Sequence, residues 1–172
     1  MAKIANFSIV YGGSAYGLAQ QTEMDHKDAK LFMETYFARY PGVKEFQQKA
    51  IAQAREAGFV TTLLGRRRFI PEINSENFQL RSFAERTAIN TPLQGSAADV
   101  IKAAMIAVDA EMNGKKSKMI LQVHDELVFD VHRSELEWIK GMVKEKMEGV
   151  IGLKVPLRVD IGVGPNWLEA KS

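Results

Sequence analysis

The chain contains no cysteine, which rules out disulfides, thiolate metal sites and a cysteine nucleophile. Histidine is nearly as scarce, three residues in all, and no two of them stand at a recognisable metal-ligand spacing. No apolar run approaches the roughly 20 residues needed to cross a bilayer. The opening residues, Met1 to Asn6, lack the apolar stretch of a secretory signal. No membrane partner is expected, and a cytoplasmic setting is. A dominant charge is missing too: 23 Lys and Arg stand against 21 Asp and Glu, a net of +2. Any nucleic-acid footprint must therefore be local. What is present is an ordinary globular mixture, 172 residues with 46% hydrophobic and 26% charged, enough for one medium domain or two small lobes.

Breakers divide the chain into elements. Lys3 to Val10 reads as a helix without an N-cap, a beginning expected of a cut through a longer chain. Tyr11-Gly12-Gly13 ends it, and Ser14 caps a short helix toward Gln21. Asp25 caps the next helix, which stops at Pro41. A further helix covers about Val43 to Ala57, and Phe59 to Leu64 with Arg68 to Ile70 form two short strands. A lobe boundary is set at Pro71, giving lobes 1–70 and 71–172. Beyond it a helix is expected from about Ser75 to Asn90, ended by Pro92, which disfavours helical backbone at Thr91. A separate helix follows from Ser96 to Met112. Met119 to Val131 reads as a hairpin turning near His124-Asp125-Glu126. Ser134 to Val150 is amphipathic, with Trp138, Ile139, Met142, Val143 and Met147 as its apolar stripe. Leu157 to Val163 alternates like a final strand. The fold class expected is α+β, helical in the first lobe and mixed, with an antiparallel sheet, in the second.

Three patterns carry chemistry. Lys3, Phe7 and Tyr11 follow at i, i+4 and i+8, within about 80° on one helix face. A cation and two rings there suit a phosphate and a stacked base; spacing alone favours a core stripe with a lysine reaching out to water. Arg86, Asn90 and Gln94 repeat the spacing and could read base edges or sugars, or form a solvated face. Arg66-Arg67-Arg68 could touch a nucleic-acid backbone or serve as a solubilising turn. The sharpest feature is His124-Asp125-Glu126. Adjacent carboxylates at a strand end are costly to bury unpaired, and Mg²⁺ typically takes one or two carboxylates and completes its shell with water and phosphate. A plain charged turn is the competing explanation. His26 and His132 read as surface residues.

Taken together the blocks resemble those of family A DNA polymerases. Lys3-Ile4-Ala5-Asn6-Phe7-Ser8-Ile9-Val10-Tyr11-Gly12 is similar to that family's nucleotide-binding helix motif. Gly65-Arg66-Arg67-Arg68, Ala84-Glu85-Arg86, Asn90 and Gln94-Gly95-Ser96-Ala97-Ala98-Asp99 follow in the family's order. Gln122-Val123-His124-Asp125-Glu126-Leu127 resembles its C-terminal catalytic motif, and Gly164-Pro165-Asn166-Trp167-Leu168 its ending. The resemblance covers essentially the whole chain and implies a C-terminal fingers and palm fragment of a replication and repair enzyme, with primer-template DNA and deoxynucleoside triphosphates as partners.

The resemblance implies roles as well. Lys3 would contact the triphosphate and help pyrophosphate leave. Phe7 would pack on base and sugar, and Tyr11 would sit where the template base enters. Arg86 and Gln94 would contact the minor-groove side near the primer terminus, supported by Asn90. His124 would lie by the primer end, and Asp125, assisted by Glu126, would hold the two Mg²⁺ ions of the complete enzyme. Ser8 departs from the family's glycine. The arginine preceding the nucleotide-binding helix and the motif with the second metal-binding aspartate are absent from this sequence, so a non-catalytic nucleotide- or DNA-binding fragment, self-associating through bared apolar surface, competes with an active polymerase. A metal-dependent hydrolase built on His124, Asp125 and Glu126 is the third alternative.

Overall fold

The structure, a computed structural model, describes residues 2–171. It is α+β: helices joined by two antiparallel two-stranded hairpins. The chain divides into two compact units, 1–96 and 97–172. That division falls inside a helix rather than at Pro71, because the core of the first unit runs straight across position 71: Ala54, Val60, Ile70, Ile73, Ala84 and Ala88 form one buried cluster.

The first unit opens with α1 (Ala2–Val10), α2 (Ala15–Gln21), α3 (His26–Arg39) and α4 (Pro41–Ala57). The caps are those the sequence signals. Ser14 Oγ accepts from Gly17 N at 3.1 Å, and Asp25 Oδ1 from Asp28 N at 2.7 Å, each satisfying an amide that the first turn leaves without a partner. Pro41 opens α4 rather than merely ending α3, since the first helical position needs no N–H. A small second core of Ala5, Leu18 and Ala29 joins α1, α2 and α3. β1 (Phe59–Thr61) and β2 (Arg67–Phe69) are shorter than the sequence suggests and pair Phe59 with Phe69, Val60 with Arg68 and Thr61 with Arg67.

The main departure from expectation is α5, a single helix over Phe78–Met112 with Pro92 inside it. Proline in a helix interior removes one backbone bond and costs about 3 kcal/mol. Packing on both sides outweighs it: Ala84, Ala88 and Ile89 are buried before Pro92, and Ala104, Val108 and Met112 after it. The hydroxyl of Ser96 donates to the Pro92 carbonyl. Among the described residues the neighbouring Asn90 Oδ1 and Thr91 Oγ1 are buried without a hydrogen-bond partner.

In the second unit α6 (Leu136–Glu148) and the end of α5 sandwich a core of Val108, Met112, Ile139, Met142 and Val143. Full burial of Val108 alone is worth about 1.5–3 kcal/mol. Trp138, expected in the stripe, is 37% exposed and lies under Lys115 Nζ, 4.5 Å from its ring. β3 (Lys118–Val123) pairs with β4 (Glu126–Asp130), with a bulge at Ile120 between the Met119–Phe129 and Leu121–Val128 pairs. Leu157 to Val163 is not a strand; alternation alone does not make a ladder, and no described strand pairs with it. The chain ends in α7 (Trp167–Ala170), capped by Asn166. Among the described residues no helix is long and apolar enough to cross a membrane.

The base of the β3–β4 hairpin is fastened by Glu135. Its carboxylate accepts from Ser117 Oγ at 2.6 Å, Ser117 N at 2.9 Å and Lys116 N at 3.2 Å, while Ser117 Oγ accepts from His132 N at 2.9 Å. The Ser117 hydroxyl first, then the Lys116 amide, with further help from the Ser117 amide and the charge of His132, bring the Glu135 carboxyl from 4.5 to about 2 against the opposing effect of burial. Ionised Glu135 therefore stabilises the fold above pH 4.5, and that contribution is lost as pH falls toward 2. The Glu135→Gln variant should melt below the parent at pH 7. The gap should shrink between pH 4.5 and 3 in thermal melts followed by circular dichroism, and a gap that ignores pH would refute the carboxylate's role.

Candidate functional site

Helix α1 presents two faces. Ala5 and Ile9, 2% and 1% exposed, are turned inward, while Phe7 is 48% exposed and Lys3 lies beside it on the surface. The stripe of Lys3, Phe7 and Tyr11 is thus not core. Phe7 and Tyr11 stack with ring centroids 6.0 Å apart and planes 10° from parallel, and Lys3 Nζ sits 5.9 Å from the Phe7 ring centre. Three further contacts fix the helix. Tyr36 Oη donates to Asn6 Oδ1 at 2.8 Å. Gln47 Nε2 donates to the Ile9 carbonyl at 2.7 Å, satisfying one of the carbonyls a helix end leaves open. Gly12 closes the helix at φ +77°, and a Cβ there would stand 2.7 Å from Ile89 Cδ1, so both backbone and space demand glycine.

Lys3, Phe7 and Tyr11 line a cavity of about 480 Å³ together with Gln21 and Arg86. Residues from α1, α2 and α5 thereby converge. Arg86 is exposed and tethered by Nη1 to Ser82 Oγ at 2.9 Å. Two cations beside two parallel rings can hold an anion and a flat, apolar-faced group at once. Of the other α5 residues singled out from the sequence, Gln94 is exposed and Asn90 half-buried, and neither lines this cavity. The unpartnered Asn90 Oδ1 is an acceptor held ready for a donor. Gln21 was not foreseen, since nothing distinguishes it in sequence from any polar residue at a helix end.

The second cluster lies in the other unit. His124 and Asp125 are the whole loop of the β3–β4 hairpin, because Val123 pairs directly with Glu126. His124 has φ +55° at the first loop position. Glycine favours this place in a tight hairpin turn, though histidine is among the side chains that tolerate it best. Gln122 Nε2 donates to the His124 carbonyl at 2.5 Å. Strained non-glycine backbone of this kind clusters at functional sites. Asp125 is exposed and, among the described residues, makes no hydrogen bond or ion pair. Glu126 differs: Lys171 Nζ lies 2.8 Å from its carboxylate, and the same ammonium sits 4.8 Å above the Trp167 ring. Lys171 is a site residue that sequence spacing did not suggest. His26 and His132 are exposed. Among the described residues no three His, Asp or Glu gather as a metal site. An exposed carboxylate such as that of Asp125 is chemically suited to ligate a hard cation, which completes its shell with water and phosphate.

Comparison with known proteins shows the family. DNA polymerase I of Lactococcus lactis subsp. cremoris is 54% identical over 172 residues, matching 99% of this chain and 20% of its own length. DNA polymerase I of Geobacillus stearothermophilus is 50% identical over the same extent, again 20% of its length. The chain spans about a fifth of the length of these curated relatives. A solved structure described as the POL domain of Pol1 from M. smegmatis, in complex with DNA primer-template and dNTP, superposes with a TM-score of 0.96 at 46% identity. It covers 99% of this chain and 30% of its own. The family model described as DNA polymerase family A matches residues 1–169, and the chain belongs to that family.

Proposed function

We propose that this chain carries the incoming-nucleotide face and one metal-binding carboxylate of a template-directed DNA polymerase, which extends a primer 3′-end with deoxynucleotides. The observation that carries the reading is the convergence of Lys3, Phe7, Tyr11 and Arg86 on one cavity. The complex named for the M. smegmatis relative, with primer-template and dNTP, supports it. On this reading residues 1–70 act as the fingers portion and 71–172 as the partial palm, in a cytoplasmic enzyme of replication and repair. Lys3 neutralises the triphosphate as a point charge, Phe7 covers base and sugar, and Tyr11, stacked on Phe7, occupies the entry of the template base. Arg86 and Gln94 offer donors to the minor groove, where acceptors predominate, with Asn90 behind them and His124 beside the primer end.

The chain's own groups mostly position reactants and compensate charge. The primer 3′-oxygen attacks the α-phosphate while pyrophosphate departs toward Lys3. Two bound Mg²⁺ ions would stabilise the attacking and leaving oxygens of such a transfer. Asp125, exposed at a rigid turn and unpaired, would hold them, with Glu126 assisting from its ion pair with Lys171. Replacing Asp125 by Ala in a full-length polymerase carrying this segment should cut incorporation by about 10³-fold or more. Primer-template affinity, which rests largely on backbone contacts, should stay within a few-fold. Near-normal single-turnover incorporation would sink the assignment.

The Phe7→Tyr variant in the same setting should accept dideoxynucleotides better. A phenolic hydroxyl placed at the sugar can stand in for the missing 3′-hydroxyl, and one hydrogen bond of about 1 kcal/mol or more corresponds to at least about a fivefold change in the dideoxy-to-deoxy ratio. An unchanged ratio in a competition assay counts against Phe7 facing the sugar.

A binding fragment without catalysis is the second reading for the 172 residues taken alone, because at the tip of the hairpin Glu126 is engaged by Lys171 and leaves Asp125 as the carboxylate without a partner among the described residues. The apolar side chains exposed in the second unit, Ile120, Val155 and Leu168 among them, favour self-association. Purified by itself with Mg²⁺ and primer-template, the chain should extend no primer while a full-length relative does so. Comparable extension by both would show that one hairpin carboxylate suffices.

A further inference from the structure

Gln47 is a polar side chain on the inner edge of a helix. In α4 it precedes Ala50 by three positions and Ala54 by seven, and both alanines are buried; residues so spaced share one helix face. Gln47 itself is half-buried. An amide carried into that face is costly unless it finds hydrogen-bond partners. Gln47 finds them on α1: its Nε2 donates to the Ile9 carbonyl at 2.7 Å and approaches the Val10 carbonyl at 3.4 Å. Ile9 and Val10 close α1, and Tyr11 follows directly.

The helix is thus cross-linked at two levels, with different consequences. Tyr36 holds Asn6, in the middle of α1, at 2.8 Å and at an exposed place. Gln47 holds the final turn. Tyr11 depends on that turn, because its N–H donates to the Phe7 carbonyl at 3.0 Å and its ring stacks on Phe7. Just beyond, the Gly12 amide returns to the Ile9 carbonyl at 3.0 Å and the Gly13 amide to the Ser8 carbonyl at 2.7 Å. The Ile9 carbonyl therefore serves a donor from the turn that follows Tyr11 and a donor from α4. Helix ends fray, and a side chain reaching in from another helix gives this end a fixed point. Gln47 does not line the cavity of Lys3, Phe7 and Tyr11, so its influence there passes through Tyr11.

We infer that Gln47 is a positioning residue: by pinning the last turn of α1 it fixes Tyr11, and so sets how strictly a mismatched nucleotide is refused. The inference rests on the reading that puts Tyr11 at the entry of the template base. Discrimination between a right and a wrong nucleotide is a difference in transition-state binding, and it depends on how little the site yields to a displaced template base. With the last turn released, the Tyr11 ring follows such a base, and the mismatched pair escapes part of its penalty. The matched pair makes no such demand. Lys3, at the opposite end of α1, keeps its place for the triphosphate.

The test is single-turnover incorporation of matched and mismatched deoxynucleotides by a full-length polymerase carrying this segment. Gln47→Leu should raise kcat/KM for the mismatched nucleotide and lower the matched-to-mismatched ratio by about fivefold, the worth of one hydrogen bond. KM for the matched nucleotide should stay within about twofold of the parent. Gln47→Glu keeps the size and shape of the side chain and guards against misfolding of the leucine form; its carboxylate cannot donate, and the same loss is expected. Gln47→Lys, whose ammonium donates and suits the negative end of a helix, should restore the ratio. Tyr36→Phe cuts the other cross-link and measures general loosening; its ratio should stay within about twofold of the parent. Equal losses in Gln47→Leu and Tyr36→Phe overturn the inference, as does a parent ratio in both Gln47→Leu and Gln47→Glu. Tyr11→Ala tells the sources of failure apart. If it lowers the ratio while the Gln47 variants do not, the placement of Tyr11 survives and the role of Gln47 falls. If it leaves the ratio unchanged, both fall.

Discussion

Burial of Ala5 and Ile9 decides where every chemical group on α1 points. Once that edge is inside, with Ala5 packed beside Leu18 and Ala29, the 3.6-residue repeat turns Lys3, Phe7 and Tyr11 outward. The small side chains matter as much as the apolar ones, because alanine at positions 5 and 29 lets helices approach closely, and little room remains for α1 to rotate. Asn6–Tyr36 and Gln47–Ile9 then act along different directions, one at the middle of the helix and one at its end. A helix of nine residues is marginal by itself in water; this one is held by its neighbours, and its exposed face inherits their rigidity.

The β3–β4 hairpin obeys the same logic with different chemistry. Its far end is closed by Glu135, which collects donors from Ser117 and Lys116 and brings His132 in through the Ser117 hydroxyl. Its tip is closed by a loop of only two residues, and Gln122 holds the His124 carbonyl. With both ends set, the strained φ of His124 is a consequence of the pairing register rather than a free choice. Asp125 is thereby displayed as an exposed carboxylate, unpaired among the described residues, while its neighbour Glu126 is occupied by Lys171. Two adjacent acids are made chemically unequal by one ion pair from the chain's end.

Much of this was legible in the residues. Capping by Ser14 and Asp25, the break at Gly12, the hairpin around His124 and the grouping of Lys3, Phe7 and Tyr11 follow from local rules of turn and helix chemistry, and local rules are what a sequence displays directly. The failures have one common cause, which is tertiary packing overriding a local signal. Pro92 signals a helix end, yet burial on both sides keeps α5 whole. Leu157 to Val163 alternates as a strand does, but a strand exists only with a partner. Trp138 belongs to the apolar stripe by spacing and ends half outside under Lys115. Gln21 and Lys171 were invisible for a further reason: each reaches its site through folding that brings distant segments together, and neither residue type is distinctive at its position.

The near-zero net charge now has a structural meaning. A chain that handles phosphates alone would be expected to be basic, and this one carries only +2. The charges are sorted rather than absent. Lys3 and Arg86 gather at one cavity, and Arg67 and Arg68 at one turn free of acids, while Asp125 and Glu126 stand together on a different hairpin. On the proposed reading, nucleotidyl transfer calls for both signs, cations against the triphosphate and anions against divalent ions. A near-zero net charge is therefore compatible with cations grouped on some elements and carboxylates on another.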